Sequence, residues 1–384
     1  MSVFADLIGQ DDARGVLSNA AAGIGMTHAW LFIGPPGSGR SVAASAFASA
    51  LQCDHHTGCG QCSSCHLVQS GSHADVQRII PEGLSIGVGE VRRVITMASR
   101  APSGGKWQIL ILEDADRLTE SAGNALLKAI EEPPERTVFL LCAPSDNPQE
   151  LSITIRSRCR VVSLRQPPKD AIARLLMDSE QLPAGEAELY AAAAQGHIGR
   201  ARRLATDETA RAKRRDVLAI PRQLTGISAC FSAAVELIEA AEAEASDANT
   251  ERSSAERQSL EMALGKGGTG KGASKAARGS AAALKDLEKR QKTRDTRSQR
   301  DSLDRALVDL AAFYRDALVA GFGSPVEPVH PDMVEVSRSA ASKMSPESLL
   351  RRISAVLECR EAIDRNVRPR IAVEALMTRL WTGN

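Results

Sequence analysis

The stretch Gly34-Pro35-Pro36-Gly37-Ser38-Gly39-Arg40-Ser41 decides the reading of this chain. It follows a short apolar run, Ala29–Ile33, and leads into an Ala-rich segment, Ser41–Leu51, with helical character. Strand, glycine-rich turn and helix in that order make a phosphate-binding loop, G-x-x-x-x-G-K-[S/T]. Gly34, Gly37 and Gly39 let the backbone curl so that N–H groups, Ser38 among them, point at phosphate oxygens. The helix start adds a partial positive charge. Ser41 stands where a hydroxyl ligates Mg²⁺. One fixed position departs from the pattern: Arg40 replaces the lysine, keeping the charge but adding length and a planar fork. The loop is thus expected to be a retained nucleotide-binding element, with ATP and Mg²⁺ as its natural occupants and weak equipment for cleavage.

Further strands are expected at Val76–Ile80, Trp107–Leu112, Thr137–Cys142 and Arg160–Leu164, with helices between them at Val88–Ser99 and Thr119–Glu132. Apolar strands alternating with helices imply an α/β fold whose parallel five-stranded sheet carries helices on both faces. The strand ending Ile111-Leu112 runs into Glu113-Asp114. Nucleotide hydrolases place a Mg²⁺-holding Asp and then a water-activating Glu at such a strand end. Here the order is inverted. Glu113 is a methylene too long for the metal position, and Asp114 is one too short for the water.

Cys53, Cys59, Cys62 and Cys65 form a C-x5-C-x2-C-x2-C cluster. Thiols this close converge on a tetrahedral ion, and Zn²⁺ is favoured over iron–sulfur because nothing else suggests redox work. His55, His56 and His66 are alternatives to Cys53. Four protein ligands leave no open position, so the site is structural. The remaining cysteines are isolated, which suits a reducing cytosol.

The chain of 384 residues has room for two or three domains, and its net charge of +1 does not indicate a nucleic-acid binder. No stretch has the apolar length to cross a bilayer, and Met1–Asp6 does not begin a signal peptide. A cytoplasmic protein with no membrane partner is expected. From about Pro167 the strands stop. Asp170–Ser179, Ala187–Ala194 and Gly199–Arg215 read as helices, and a third helical region starts near Pro221. Residues 248–300 break the pattern. Gly265–Ser280 is Gly/Ala/Ser/Lys-rich without an acid, and 285–300 mix many Lys and Arg with a few acids. The whole reads as a mobile insertion, partly helical at its edges. Within it, Gly265–Gly272 mimics a phosphate loop but lacks the terminal Ser/Thr and any preceding strand. Leu303, Leu307, Leu310 and Tyr314 resume helical spacing, and a last helical block covers Pro346–Leu380.

Several strings carry a family resemblance: Thr27-His28-Ala29-Trp30-Leu31-Phe32, the cysteine insertion after the first helix of the loop, Asn124–Pro134 (NALLKAIEEPP), and Ser157-Arg158-Cys159. Together they resemble the clamp-loader family of AAA+ ATPases, on its bacterial DNA polymerase III delta-prime branch. The resemblance is specific over residues 1 to about 210. It implies an AAA+ nucleotide-binding-like domain at 1–166 with the zinc module at 53–65, a helical lid at 167–216, and an all-α collar at 217–384. It also implies that Arg158 acts as a finger in trans, reaching a neighbouring subunit's ATP. The partners implied are gamma/tau-type and delta-type subunits in a hetero-pentamer, the sliding clamp, and primed DNA. The assembly belongs to a DNA polymerase holoenzyme, a nucleotidyltransferase as a complex. Arg40, the Glu113-Asp114 order, Leu141–Ser145 without a Thr or Asn, and Gly199 where a sensor arginine is expected favour a non-hydrolysing subunit. The competing reading is a gamma/tau-type subunit that hydrolyses ATP itself.

Overall fold

The computed structural model describes residues 2–148, 150–263 and 273–383. They fall into two compact units, Met1–Ala205 and Thr206–Asn384. The first unit begins with α1 (Asp11–Ala21), β1 (Ala29–Ile33), α2 (Arg40–Gln52), α3 (Ser63–Gln69), β2 (Val76–Ile79) and α4 (Val88–Ala98). It continues with β3 (Gln108–Leu112), α5 (Glu120–Glu131), β4 (Thr137–Ala143), α6 (Ile153–Arg158) and β5 (Arg160–Ser163). Helices α7 (Lys169–Glu180), α8 (Ala184–Ala193) and α9 (Ile198–Thr206) follow.

The strands pair in parallel in the order β2-β3-β4-β1-β5. β1 is hydrogen-bonded on both sides: Leu31 lies opposite Leu141 of β4 and Val161 of β5. Strand side chains alternate between faces. Trp30, Phe32, Ile111 and Leu140 pack on one side with Leu17 of α1 and Phe47 of α2. Leu31, Leu112, Phe139 and Leu141 pack on the other with Val91 of α4 and Leu126 of α5. Both faces are covered, so β1, β3 and β4 read as unbroken apolar runs rather than alternating ones. This is a five-stranded parallel α/β sheet with helices on both faces. The Thr119 hydroxyl accepts from the Ala122 N–H at 3.3 Å and caps α5. Ile172, Leu176, Ala187 and Ala191 make a separate small core for α7 and α8.

Two helix boundaries differ from expectation. Gly199–Arg215 is not one helix: the Asp207 carboxylate accepts from the Thr209 N–H at 2.8 Å and starts a new one, α10 (Glu208–Gln223). The Asp side chain offers the backbone a cap, which competes with continuing the helix. Pro221, expected near a helix start, lies inside the last turn of α10.

The second unit continues with α11 (Ile227–Ala263), α12 (Ala273–Gly321), α13 (Val334–Lys343), α14 (Pro346–Asp364) and α15 (Pro369–Thr382). Its core gathers Leu237 from α11, Leu307 and Tyr314 from α12, Val356 from α14 and Met377 from α15. The mobile insertion is expected to be helical only at its edges; residues 248–263 and 273–300 are instead helical throughout and belong to α11 and α12. Gly265–Gly272, the imitation phosphate loop, lies outside the described residues. Polar pairing replaces the missing apolar core. Arg294 donates to both oxygens of Glu256 at 2.9 Å and to the Ser253 hydroxyl at 2.9 Å. Asn249 reaches Asp295 at 2.8 Å, and Arg305 reaches Glu244 at 2.8 Å. At Glu256 and Glu244 α11 supplies the acid and α12 the base, a pairing that composition alone cannot display. No helix among the described residues is long and apolar enough to cross a membrane.

The Arg294 fork, ahead of the opposing cost of burial, holds the Glu256 carboxyl down at about 2. A depressed carboxylate contributes stability above its ordinary value of about 4.3, lost as pH falls towards the folded value. We expect Arg294→Met to raise hydrogen exchange in 249–263 and 285–298 and to cost about 1–3 kcal/mol. We also expect that variant to lose most of the wild-type pH dependence below about pH 4.

Candidate functional site

The phosphate loop lies between β1 and α2. Gly39 is left-handed at φ 89° and immediately precedes α2, so the loop delivers Arg40 and Ser41 into the first helical turn. Gly37 is also left-handed, at φ 86°. A Cβ on Gly37 would lie 2.5 Å from His197 Cα, so the backbone just before α9 rests directly on the loop. Only a residue without a side chain fits there. Gln10 locks the loop from another direction. Its side-chain amide donates to the Arg165 carbonyl at 2.6 Å and the Ser38 carbonyl at 3.3 Å, and its oxygen accepts from the Arg165 N–H at 3.1 Å. Neither Gln10 nor His197 was visible as a site residue, because both act through tertiary contact and sit in no local motif.

Glu113 and Asp114 follow β3. The Glu113 carboxylate is taken by the guanidinium of Arg78, at the end of β2. Asp114 has left-handed backbone at φ 51°. Asp116, two residues on, lies in the same electrostatic neighbourhood as Arg40. Burial, then the nearby Asp114 carboxylate, push its carboxyl up, while Arg117 and Arg40 pull it down. Three buried polar atoms here have no hydrogen-bond partner among the described residues: Ser38 Oγ, Arg40 Nη1 and Asp116 Oδ1. Buried polar atoms are normally satisfied, and two of these three can donate. The donors suit a phosphate group, so the residues present fit a bound nucleotide.

The sulfurs of Cys53, Cys59, Cys62 and Cys65 lie within 4.8 Å of one another. Cys53 Sγ is 3.7 Å from Cys59 Sγ and 3.9 Å from Cys62 Sγ. Four thiolates on a tetrahedral zinc would be about 3.8 Å apart, so the set fits such an ion. Cys53 closes the C-terminal end of α2, Cys62 precedes α3 and Cys65 lies in it. His56 points elsewhere, to Lys106 Nζ at 3.1 Å. Burial pushes the Cys65 thiol up to about 12. At Cys53 the burial penalty is outweighed by N–H groups of Cys59, His55 and Thr57, which bring it down to about 5. The Val3 N–H donates to the Gly58 carbonyl at 2.9 Å and ties the cysteine loop to the start of the chain.

Arg158 ends α6, beyond β4. Its side chain is 37% exposed and pairs with Glu131 at 2.6 Å. The neighbouring Arg156 pairs with Asp146 at 2.7 Å. Arg40, Glu113 and Asp114 all act electrostatically on Cys142. They follow the C-terminal ends of β1 and β3, whereas Arg158 precedes the N-terminal end of the parallel strand β5.

Residues 9–168 match the family described as DNA polymerase III, delta subunit. The delta' subunit of DNA polymerase III from Haemophilus influenzae is 40% identical over 143 residues, covering 36% of this chain and 43% of that protein. The tau subunit from Bacillus subtilis is 35% identical over 201 residues, covering 50% of this chain and 35% of that protein. The chain thus spans less than half the length of these relatives. A solved gamma subunit-related protein from Thermotoga maritima is 16% identical, with a TM-score of 0.43 and coverage of 95% of this chain and 98% of that one. Residues 9–168 are thus similar to a DNA polymerase III subunit family, and up to half of the chain is similar to its delta' and tau subunits.

Gly37→Ala forces a side chain into left-handed backbone and against His197. We expect a loss of about 1–3 kcal/mol in denaturant unfolding, with faster hydrogen exchange at the start of α9. Gly89→Ala, at an open helical position, is the control and should be neutral or slightly stabilising.

Proposed function

We propose that this chain is a delta-prime-type subunit of the DNA polymerase III clamp loader, helping to load the sliding clamp onto primed DNA while hydrolysing ATP poorly or not at all. One observation carries the reading. Glu113, the acid nearest to where a nucleotide hydrolase needs its metal ligand and water activator, is committed to Arg78. A carboxylate oxygen already engaged by a guanidinium is less available to a metal ion or to a water molecule. Arg40 acts in the same direction, since a forked guanidinium does not reproduce the point charge of lysine. Gly34, Gly37, Ser38, Gly39, Arg40 and Ser41 are assigned to holding phosphate, beside Glu113 and Asp114. ATP, with Mg²⁺, would supply charge and order there, not chemistry.

In this reading the catalytic contribution is Arg158. Its guanidinium would enter a gamma/tau-type neighbour's ATP site and offset charge on the phosphoryl group in transfer, an effect of about 10³–10⁵ in rate for such fingers. Residues 1–166 and the lid at 167–216 would form the module that presents it. Residues 217–384 would join gamma/tau-type and delta-type subunits in a pentameric collar. Cys53, Cys59, Cys62 and Cys65 would hold one structural Zn²⁺, and the setting would be the cytoplasm.

A second reading, a gamma/tau-type subunit that hydrolyses ATP, is favoured by the long tau match and by the unpartnered atoms at Ser38, Arg40 and Asp116. Steady-state hydrolysis separates the two. We expect the isolated chain to show no turnover. In an assembly reconstituted with a gamma/tau-type ATPase, Arg158→Ala should lower the rate at least about 10-fold. Turnover by the isolated chain that is lost in Ser41→Ala would support the second reading instead.

For the metal, elemental analysis of the purified chain is expected to give about one zinc. Cys65→Ser should lower that value and the melting temperature together. An unchanged melting temperature after complete metal removal would contradict a structural site.

A further inference from the structure

Glu131 is the last residue of α5. Helix energetics do not favour an acid there, because the C-terminal end carries a partial negative charge and prefers cations. Yet two acids, Glu131 and Glu132, occupy this end before Pro133. The helix end is fixed independently: His28 Nε2 is 2.8 Å from the Ile130 carbonyl. Helix α6 is brought close to α5, and a Cβ on Gly123 of α5 would meet Ile155 of α6 at 3.7 Å. The Glu131 carboxylate is thereby set 2.6 Å from Arg158 Nη2.

The rest of the Arg158 fork is also turned inward. Nη1 donates to the Thr154 carbonyl at 3.1 Å and to the Ser157 hydroxyl at 3.3 Å. Both terminal nitrogens are thus engaged within the chain. A guanidinium recognises a phosphoryl group with parallel N–H donors from that same fork. While Nη1 serves Thr154 and Ser157 and Nη2 serves Glu131, the two terminal nitrogens are not free to turn together onto a phosphate.

We propose that Glu131 is a positioning residue that parks Arg158 on its own subunit and competes with the neighbour's phosphate for the guanidinium. The proposal rests on the reading of Arg158 as a trans-acting finger. The parked state is shallow: the pair is 37% and 44% exposed, and exposed pairs of this kind contribute little. It is therefore released by a polyanionic ligand and holds the finger only until one is presented. At its other end α5 follows the acid loop, with Thr119 as its cap, so one rigid helix joins the chain's own phosphate site to the partner of its finger.

Glu131→Gln keeps size and hydrogen bonding and removes the charge. In an assembly reconstituted with a gamma/tau-type ATPase, we expect it to raise the ATP hydrolysis rate at sub-saturating ATP about 2- to 5-fold. Glu131→Asp, which retains the charge, should fall between wild type and Gln. On the isolated chain, the ¹⁵N side-chain signals of the Arg158 Nη groups should show faster hydrogen exchange in Glu131→Gln, with thermal stability near wild type. That signature separates release of the fork from general loosening. Arg158→Ala should lower the rate and erase the effect of Glu131→Gln in the double variant. If Glu131→Gln leaves the rate unchanged or lowers it while Arg158→Ala lowers it, the parking idea fails and the finger stands. If Arg158→Ala has no effect, both fail.

Discussion

The pairing of β1 on both of its edges is the constraint from which the first unit follows. Its C-terminal end sets the origin of the phosphate loop. β4 on one side and β5 on the other fix where neighbouring loops emerge, and β3 beyond β4 brings the acid loop to the same sheet end. The common direction of the strands does this: in a parallel sheet all C-terminal ends open on one side. Arg40, Glu113 and Asp114 are distant in sequence and share one environment because of register alone.

Where the strands lie was legible because the sheet is covered on both faces. Ala29–Ile33 appears in the structure with the bounds read from the sequence, and β3 and β4 differ from theirs by one residue at one end. A strand buried on both faces cannot hide among polar residues. Helix α5 was legible for another reason: its cap, Thr119, and its stop, Pro133-Pro134, are both chemical signals in the sequence. The break at Asp207 used the same kind of signal and passed unnoticed, because the flanking Arg-rich segments keep helical character on either side. The small helices α1 and α3 had no such punctuation.

The site was legible only as parts. Loop, acids, cysteines and Arg158 each sit in a local pattern. What the parts touch is another matter. The Arg78–Glu113 pair, the seat of His197 on Gly37 and the Glu131–Arg158 pair each join segments that the sequence separates, and no local spacing encodes them. The charged hairpin is the reverse case. Residues 285–300 looked unable to order because their burial was counted for one segment. Their partners are polar and charged residues of α11, Glu256 and Asn249 among them. A helix poor in apolar surface can still be held by satisfied, partly buried polar pairs.

The same interior position of β1 has a consequence for how the chain is made. Its neighbours, β4 and β5, are the last strands of the sheet in sequence. As the polypeptide emerges, Ala29–Ile33 precedes both of its partners, and both of its edges stay open until Thr137–Ser163 has followed. Unpaired apolar edges are where chains associate wrongly, and parallel pairings between distant segments form slowly. The cysteine loop, by contrast, closes over a short span and can settle early. Its ties to α2 and to Val3 would brace the N-terminal helices while β1 waits for its neighbours.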